Sequence, residues 1–95
     1  MATLYHTNGL EEKVDPKNGK TFGLKELQVM VGGFIEIVQL LDTNEILVIN
    51  EEGKQSGLPP NIKATLRAEE VLGYFDIIVG PALLCSYNEE GDMLP

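Results

Sequence analysis

The clearest hydrophobic pattern in the chain is a helical one. Leu24, Leu27 and Val31 stand at i, i+3 and i+7, which places them on one face of a helix. Gly23 occupies the position of an N-cap, and Gly32-Gly33 follows the last apolar position, where glycine can adopt the left-handed conformation that ends a helix. The pattern therefore predicts one well-defined helix of about nine residues.

Two β-prone stretches come directly after this helix. Phe34–Leu41 and Glu45–Asn50 are rich in Ile, Val and Leu, and the turn-forming residues 42–44 separate them, so an antiparallel hairpin is predicted. Both faces of the first strand carry apolar residues, which favours a central place in the sheet. Glu36 is the exception, because a carboxylate on a largely apolar face needs hydrogen bonds or a charge partner if it is buried.

The first 22 residues alternate only weakly between polar and apolar positions. They predict a polar, hairpin-like start with turns at Asn8-Gly9 and at residues 15–19. The extended pieces expected there are Thr3–Thr7, Glu11–Val14 and Lys20–Phe22.

The last third of the chain mixes short helical and β-prone segments. Asn61 can cap a short helix from Ile62 to about Ala68, and Glu69–Tyr74 is expected to add one further turn. Two β-prone segments follow, separated by a bend at Gly80-Pro81, and they are Asp76–Val79 and Ala82–Tyr87. Residues 88–95 are polar and acidic, and we expect them to be frayed.

Taken together, these elements predict a single domain over residues 1–95, with its core at residues 23–87. The fold class is α+β. We expect a small antiparallel or mixed sheet of roughly four to six strands, with one well-defined helix and one or two short helices packed on it.

Composition and charge exclude several classes of protein. Apolar residues make up 43% of the chain, which is enough for a packed core, and the formal net charge of −8 argues against binding to nucleic-acid backbone. No apolar run reaches the length of about 18 residues that a membrane span needs, and the N-terminus lacks the features of a signal peptide. We therefore expect a soluble cytoplasmic protein that binds neither nucleic acid nor membrane. A core of this size also favours a homo-oligomer.

The residues required for common catalytic devices are missing. His6 is the only histidine and Cys85 the only cysteine, and Cys85 lies in an apolar run that predicts a buried thiol. A metal site would have to use carboxylates alone, such as Glu36, Glu51 and Asp76, and their spacing matches no calcium-binding loop. We therefore expect no metal, no cofactor and no enzymatic activity.

An ordered set of short motifs marks the middle of the chain. These are Leu27-Gln28, Gly32-Gly33-Phe34-Ile35-Glu36, Asn50-Glu51-Glu52-Gly53, Leu58-Pro59-Pro60-Asn61, Ala64-Thr65 and Asp76-Ile77-Ile78-Val79-Gly80. In this order they resemble a family of small uncharacterised domains of unknown function from bacteriophages, plasmids and other mobile elements. The resemblance covers over half of the chain. It implies a mobile-element origin and life in a bacterial host, and it assigns no catalytic residues.

Polar residues of these motifs stand at the ends of elements beside apolar strands, where a small polar ligand could bind. The candidate ligand-binding residues are Glu36, Asn50, Glu51, Asn61, Lys63, Thr65, Arg67 and Asp76. A purely structural interpretation stays open, in which the asparagines cap or turn the backbone, Thr65 bonds to its own helix, and Glu36 pairs with Lys63 or Arg67.

Three functional hypotheses follow. In the first, the protein is a non-enzymatic phage or plasmid accessory that sequesters a small nucleotide-type host signal and so counters a defence system, with Lys54, Lys63 and Arg67 converging on the phosphates. In the second, it is an acidic protein–protein inhibitor or regulator of a host factor. In the third, it is a structural accessory domain without a ligand.

Overall fold

The computed structural model describes residues 1–41, 43–73 and 76–95. Over these residues the chain forms six strands and three helices. In chain order they are β1 (Ala2–Tyr5), β2 (Glu11–Val14), α1 (Leu24–Val31), β3 (Ile35–Gln39), β4 (Glu45–Asn50), α2 (Ile62–Arg67), α3 (Glu69–Leu72), β5 (Ala82–Tyr87) and β6 (Met93–Leu94).

The strands form one antiparallel sheet with the order β2-β1-β5-β4-β3, and β6 pairs with the end of β5. β5 is the central strand, because β1, β4 and β6 all pair with it. With one helix of eight residues and two shorter ones, the prediction of a small α+β domain is confirmed.

Both faces of the sheet are covered by helices. Successive side chains of a strand point to opposite faces, so Ile46 and Val48 of β4 pack with α1, whereas Leu47 packs with α2. The cluster on the α1 face includes Leu27 and Val31, and both are at most 2% exposed. The two clusters therefore form the core, and β4 and β5 lie between them.

Local sequence explains both ends of α1. The backbone N–H of Gly23 donates to Oε1 of Glu26 at 2.6 Å, which closes the first turn. Gly32 has a φ of 84° and its N–H donates to the carbonyl of Gln28 at 2.8 Å. The predicted helix is confirmed, and the glycine ends it by the expected mechanism.

Two predictions about the chain ends are wrong. Lys20–Phe22 is not a strand, because the Phe22 ring is buried in the α1-face cluster and its backbone N–H donates to the carbonyl of Met93 at 2.9 Å. Residues 88–95 were expected to be a frayed tail, and within them Met93–Leu94 form β6 on β5. The apolar Met93 packs on the core, which stabilises a segment that its acidic composition predicted to be loose.

The predicted place of the strand after α1 is also wrong. β3 lies at one edge of the sheet, with β4 as its only neighbour among the described residues, and Ile37 is 47% exposed. The apolar character of both strand faces had favoured a central position. The second face of the strand is instead covered only in part, by Leu72 at the end of α3 and by Ile78.

The segment Asp76–Val79 was predicted as a strand and is not one. Its only ladder contact is an isolated antiparallel bridge between Val79 and Pro60. Proline donates no backbone hydrogen bond, so the pairing cannot extend along Pro59-Pro60. The predicted bend is present, since Gly80 has a φ of 78° before β5 begins at Ala82.

Two other predictions lie partly outside the described residues. The turn at 42–44 includes Asp42, and the helical turn at 69–74 includes Tyr74. Where the chain is described, α3 covers Glu69–Leu72. None of the helices in the described ranges has the length and apolar character that a membrane span requires.

Gly53 sets how closely the turn of residues 51–57 approaches the segment before β5. A methyl group on Gly53 would lie 2.8 Å from Cγ2 of Val79 and 3.4 Å from the Val79 carbonyl oxygen. A β-branched side chain cannot easily rotate out of the way, so the contact can be relieved only by moving the turn.

We therefore predict that Gly53→Ala lowers the free energy of unfolding by about 1–3 kcal/mol. The clash should largely disappear in the double variant Gly53→Ala/Val79→Ala, so its loss of stability should be at least about 1 kcal/mol smaller than the sum of the two single losses. Urea unfolding of the four proteins measures this coupling. Additive losses would mean that the two residues do not control the turn.

Candidate functional site

A cleft of about 280 Å³ opens on the sheet face that carries α2 and α3. It lies between the exposed edge of the β3–β4 hairpin, the turn of residues 51–57 and the segment before β5. Its apolar lining comes from Val38, Ile49, Leu72, Ile77, Ile78 and Val79, and its polar lining from Glu36, Asn50, Glu51, Lys54, Gln55 and Asp76. The cleft thus joins an apolar surface to a set of charged and amide groups.

Asn50 fixes one wall of the cleft. Its side chain accepts a hydrogen bond from the backbone N–H of Glu52 at 2.8 Å and donates to the carbonyl of Val31 at 3.1 Å. The backbone N–H of Glu51 donates to the carbonyl of Phe34 at 2.8 Å. These bonds attach the start of the turn of residues 51–57 to the end of α1 and to Phe34, just before β3. Glu51 therefore lies at the rim of the cleft.

The opposite wall is attached to α2. The hydroxyl of Thr65 accepts a hydrogen bond from the backbone N–H of Ile78 at 2.9 Å and itself donates to the carbonyl of Asn61 at 2.8 Å. The backbone N–H of Asn61 donates to the carbonyl of Ile78 at 2.8 Å. The segment before β5 therefore pairs with a helix side chain and a helix cap rather than with a strand.

Asn61 is fully buried and connects three parts of the chain. Its side-chain amide donates to the carbonyls of Tyr5 at 2.9 Å and Gly80 at 2.8 Å, while its oxygen accepts from the N–H of Ala64 at 3.2 Å. Both amide protons and the oxygen of this side chain are thus hydrogen-bonded within the protein. Asn61 and Thr65 thus hold the cleft wall and do not line the cleft.

The charge of the cleft is negative. Three carboxylates, those of Glu36, Glu51 and Asp76, line it together with a single ammonium group, that of Lys54. Lys54 forms an ion pair with Asp76 across the cleft, and this hydrogen bond, followed by one from the N–H of Ile77, lowers the pKa of the Asp76 carboxyl. Glu36 and Glu51 have no such partner among the described residues.

The structure brings half of the predicted ligand-binding residues together. Glu36, Asn50, Glu51 and Asp76 line the cleft, as expected for residues at strand ends and turns. Lys63 and Arg67 do not, and they do not pair with Glu36 as one interpretation required.

Both cations instead form ion pairs with carboxylates on β2 and β4. Lys63 contacts Glu11 of β2 at 2.8 Å, and this hydrogen bond lowers the pKa of Glu11, while Arg67 pairs with Glu45 of β4. Lys54, Lys63 and Arg67 therefore do not converge on one point. No local pattern predicts the first of these ion pairs, because Lys63 and Glu11 are 52 positions apart.

Sequence reasoning missed the remaining lining residues of the cleft, which are Gln55 and the apolar group. Gln55 lies in the turn that packs closely against Val79 because residue 53 is a glycine. Gly53 was therefore the one feature of the sequence that could have indicated a place for Gln55 at the cleft. The apolar residues were expected only as core, because hydrophobic pattern does not distinguish a partly covered face from a buried one.

The two side chains that could act as a catalytic base or nucleophile, His6 and Cys85, lie outside the cleft. His6 contacts Glu12 of β2 at 2.9 Å. Cys85 is buried, as predicted, and burial raises the pKa of its thiol to about 12, so the reactive thiolate hardly forms at neutral pH. Across the described ranges, no three His, Cys, Asp or Glu side chains come close enough together to hold a metal ion.

The fold and the cleft define a small antiparallel α+β domain with a carboxylate-lined cleft of modest size. The chain belongs to the family described as Domain of unknown function (DUF3846), whose model matches residues 4–95. No curated protein and no solved structure is significantly similar to it.

We predict that Asn61→Ala lowers the free energy of unfolding by about 3 kcal/mol, because two buried carbonyls and one helix N–H lose their partners. Asn18→Ala is the matched control. Its side chain also accepts two backbone hydrogen bonds, from Lys20 and Thr21, but it is exposed and water can replace them, so the loss should be below about 1 kcal/mol. Equal losses in chemical denaturation would refute the structural role of Asn61.

We predict that Lys54→Met raises the pKa of Asp76 while leaving it below its ordinary value, because the N–H of Ile77 still donates to the carboxylate. Lys63→Met should leave the pKa of Asp76 unchanged and raise that of Glu11 instead. Carbon-detected NMR titration of the side-chain carboxyls measures both. A pKa of Asp76 that does not respond to Lys54→Met would contradict the ion pair across the cleft.

Proposed function

We propose that this domain is a non-enzymatic binding module and that the cleft between the turn of residues 51–57 and the segment before β5 binds a positively charged group. The observation that carries the proposal is the charge of the cleft. Three carboxylates face one ammonium group that is already paired, so the surplus charge is negative and sits beside apolar side chains. An amine or guanidinium group with an alkyl chain matches both features.

The size of the cleft also limits the ligand. A volume of about 280 Å³ lies just below the usual range for small-molecule sites. It suits one amine-bearing chain, either a free polyamine or a basic side chain of a partner protein. The second source corresponds to the hypothesis of an acidic regulator of a host protein, and the net charge of −8 would speed its encounter with a basic partner.

The nucleotide hypothesis receives less support from the geometry. A phosphate group needs converging cations, yet Lys63 pairs with Glu11 and Arg67 with Glu45, and neither lines the cleft. An origin in a mobile element and a role against host defence stay predictions from the motif resemblance.

The proposal can be tested by following backbone amides in NMR spectra while adding spermidine, a lysine-rich peptide or ATP. Spermidine or the peptide should shift the amides of residues 51–55 and 76–79, and Glu36→Gln should weaken binding about three- to fivefold, as expected for one exposed charge pair. The control Glu90→Gln removes the same charge from a distant exposed turn and should change binding less than twofold.

The three ligands separate the hypotheses. A response to the peptide alone assigns the site to a protein partner, whereas a response to spermidine alone assigns it to a small amine. Binding of ATP that strengthens in Glu36→Gln would overturn the cationic assignment. No response to any of them, with a folded protein, would favour the structural accessory domain.

A further inference from the structure

β3 forms an edge whose backbone is ready to pair. The N–H of Glu51 donates to the carbonyl of Phe34, and the N–H of Leu40 donates to the carbonyl of Glu45. In an antiparallel ladder, every second residue of a strand forms backbone hydrogen bonds with the neighbouring strand on one side. Phe34 and Leu40 form such bonds on the β4 side, so the odd-numbered residues between them direct their backbone groups away from β4. The N–H and C=O groups of Ile35, Ile37 and Gln39 therefore point outward, where the described chain provides no further strand.

The two edges of the sheet differ in their side chains. β2, at the other edge, has the sequence Glu-Glu-Lys-Val, and charged residues of this kind discourage pairing with another chain. β3 has the sequence Ile-Glu-Ile-Val-Gln, without lysine or proline, and Ile37 is 47% exposed at its centre. Of these two edge strands, β3 is thus the one that combines free backbone groups with exposed apolar surface.

We propose that β3 pairs antiparallel with β3 of a second copy of this chain, with Ile37 on the two-fold axis. This arrangement sets Ile37 opposite Ile37, and Ile35 opposite Gln39 of the second copy. It uses all three outward-facing residues of each strand and continues the sheet across the two copies. The proposal rests on the strand edge and does not depend on the nature of the cleft ligand.

Charge favours this register over its neighbours. Shifting the axis to Glu36 would set the two Glu36 carboxylates directly opposite each other, which is destabilising, and would leave Gln39 with no outward-facing partner on β3. Shifting the axis to Val38 would leave Ile35 with no outward-facing partner on β3. With the axis at Ile37, each Glu36 lies opposite Val38 of the second copy, so no like charges meet.

Side chains beside the strand fit the same register. Phe34 is 65% exposed, and the pairing places it opposite Leu40 of the second copy. Leu40 borders a hollow of about 280 Å³ whose apolar lining also includes Leu41, Leu66 and Val71, alongside three charged side chains. An exposed ring is thereby brought to a hollow that has apolar walls.

The second copy also borders the cleft described above. Glu36 and Val38 of β3 line that cleft, and in the paired sheet Val38 of the second copy becomes the neighbour of Glu36. The open side of the cleft would therefore be completed by the partner copy.

Cysteine cross-linking tests the register. Residues opposite each other in a hydrogen-bonded antiparallel pair have Cα atoms about 5.5 Å apart, within reach of a short bifunctional thiol reagent. In a Cys85→Ala background, Ile37→Cys should form a covalent dimer with a one-carbon bis-methanethiosulfonate reagent. The matched control Gln39→Cys should not, because Gln39 faces Ile35 of the second copy. Cross-linking of Gln39→Cys but not of Ile37→Cys would overturn the register.

Sedimentation of proteins that keep Cys85 tests the pairing itself. An interface built on one strand is small, so we expect weak pairing. The mass of the wild-type chain should therefore rise to twice the monomer mass as its concentration is raised to about 1 mM. Ile37→Lys should be monomeric, because two ammonium groups would meet on the axis. The control Val29→Lys, on the exposed face of α1, should remain dimeric. Circular dichroism checks that both variants fold.

A wild-type chain that stays monomeric at about 1 mM would overturn the proposal, since its Kd for self-association would then lie above the millimolar range. So would a dimer that persists in Ile37→Lys, which would have to use another surface. Loss of the dimer in Val29→Lys as well would also contradict pairing through β3.

Discussion

The buried side chain of Asn61 is the interaction on which the cleft side of the fold depends. It joins the end of β1, the bend before β5 and the first turn of α2 through three hydrogen bonds in a place that water does not reach. No apolar residue of similar size could replace it, because the two carbonyls and the N–H would then remain unpaired. Packing places α2 on the sheet, and Asn61 determines where along the sheet it begins.

The shape of the cleft follows from this anchor. The segment before β5 has one strand bridge, so its position is set mainly by Asn61 and Thr65 of α2 and by the close approach of Gly53 to Val79. The cleft wall is thus held by a few specific bonds and one tight contact instead of a continuous ladder. A wall of this kind can present Asp76 and Ile77 to a ligand without a strand partner covering them.

Local patterns of the sequence predicted α1 and the β3–β4 hairpin well, but they predicted poorly which side chains meet across the fold. The i, i+3, i+7 spacing and the glycines around it identified α1, and the turn residues after Leu41 identified the β3–β4 hairpin. The partners of charged residues were not predictable, since Glu11 of β2 and Lys63 of α2 are 52 positions apart and meet only in the tertiary structure. Four of the eight candidate site residues line the cleft because strand ends and turns are themselves local features.

The error about β3 has a physical reason that bears on function. Apolar residues on both faces of a strand indicate that both faces are covered, but the pattern does not say whether the cover comes from the same chain. Within one copy, Ile37 and Phe34 remain exposed. A sheet continued across two copies would supply the missing neighbour while bringing two clefts, each with a surplus of negative charge, to the same side of the sheet. If two copies pair in this way, no like charges meet along the strand, but the net charge of −8 on each copy would still oppose the pairing. A cationic ligand bound in either cleft would then stabilise the pair, and by linkage the pair would bind that ligand more tightly than the single copy does.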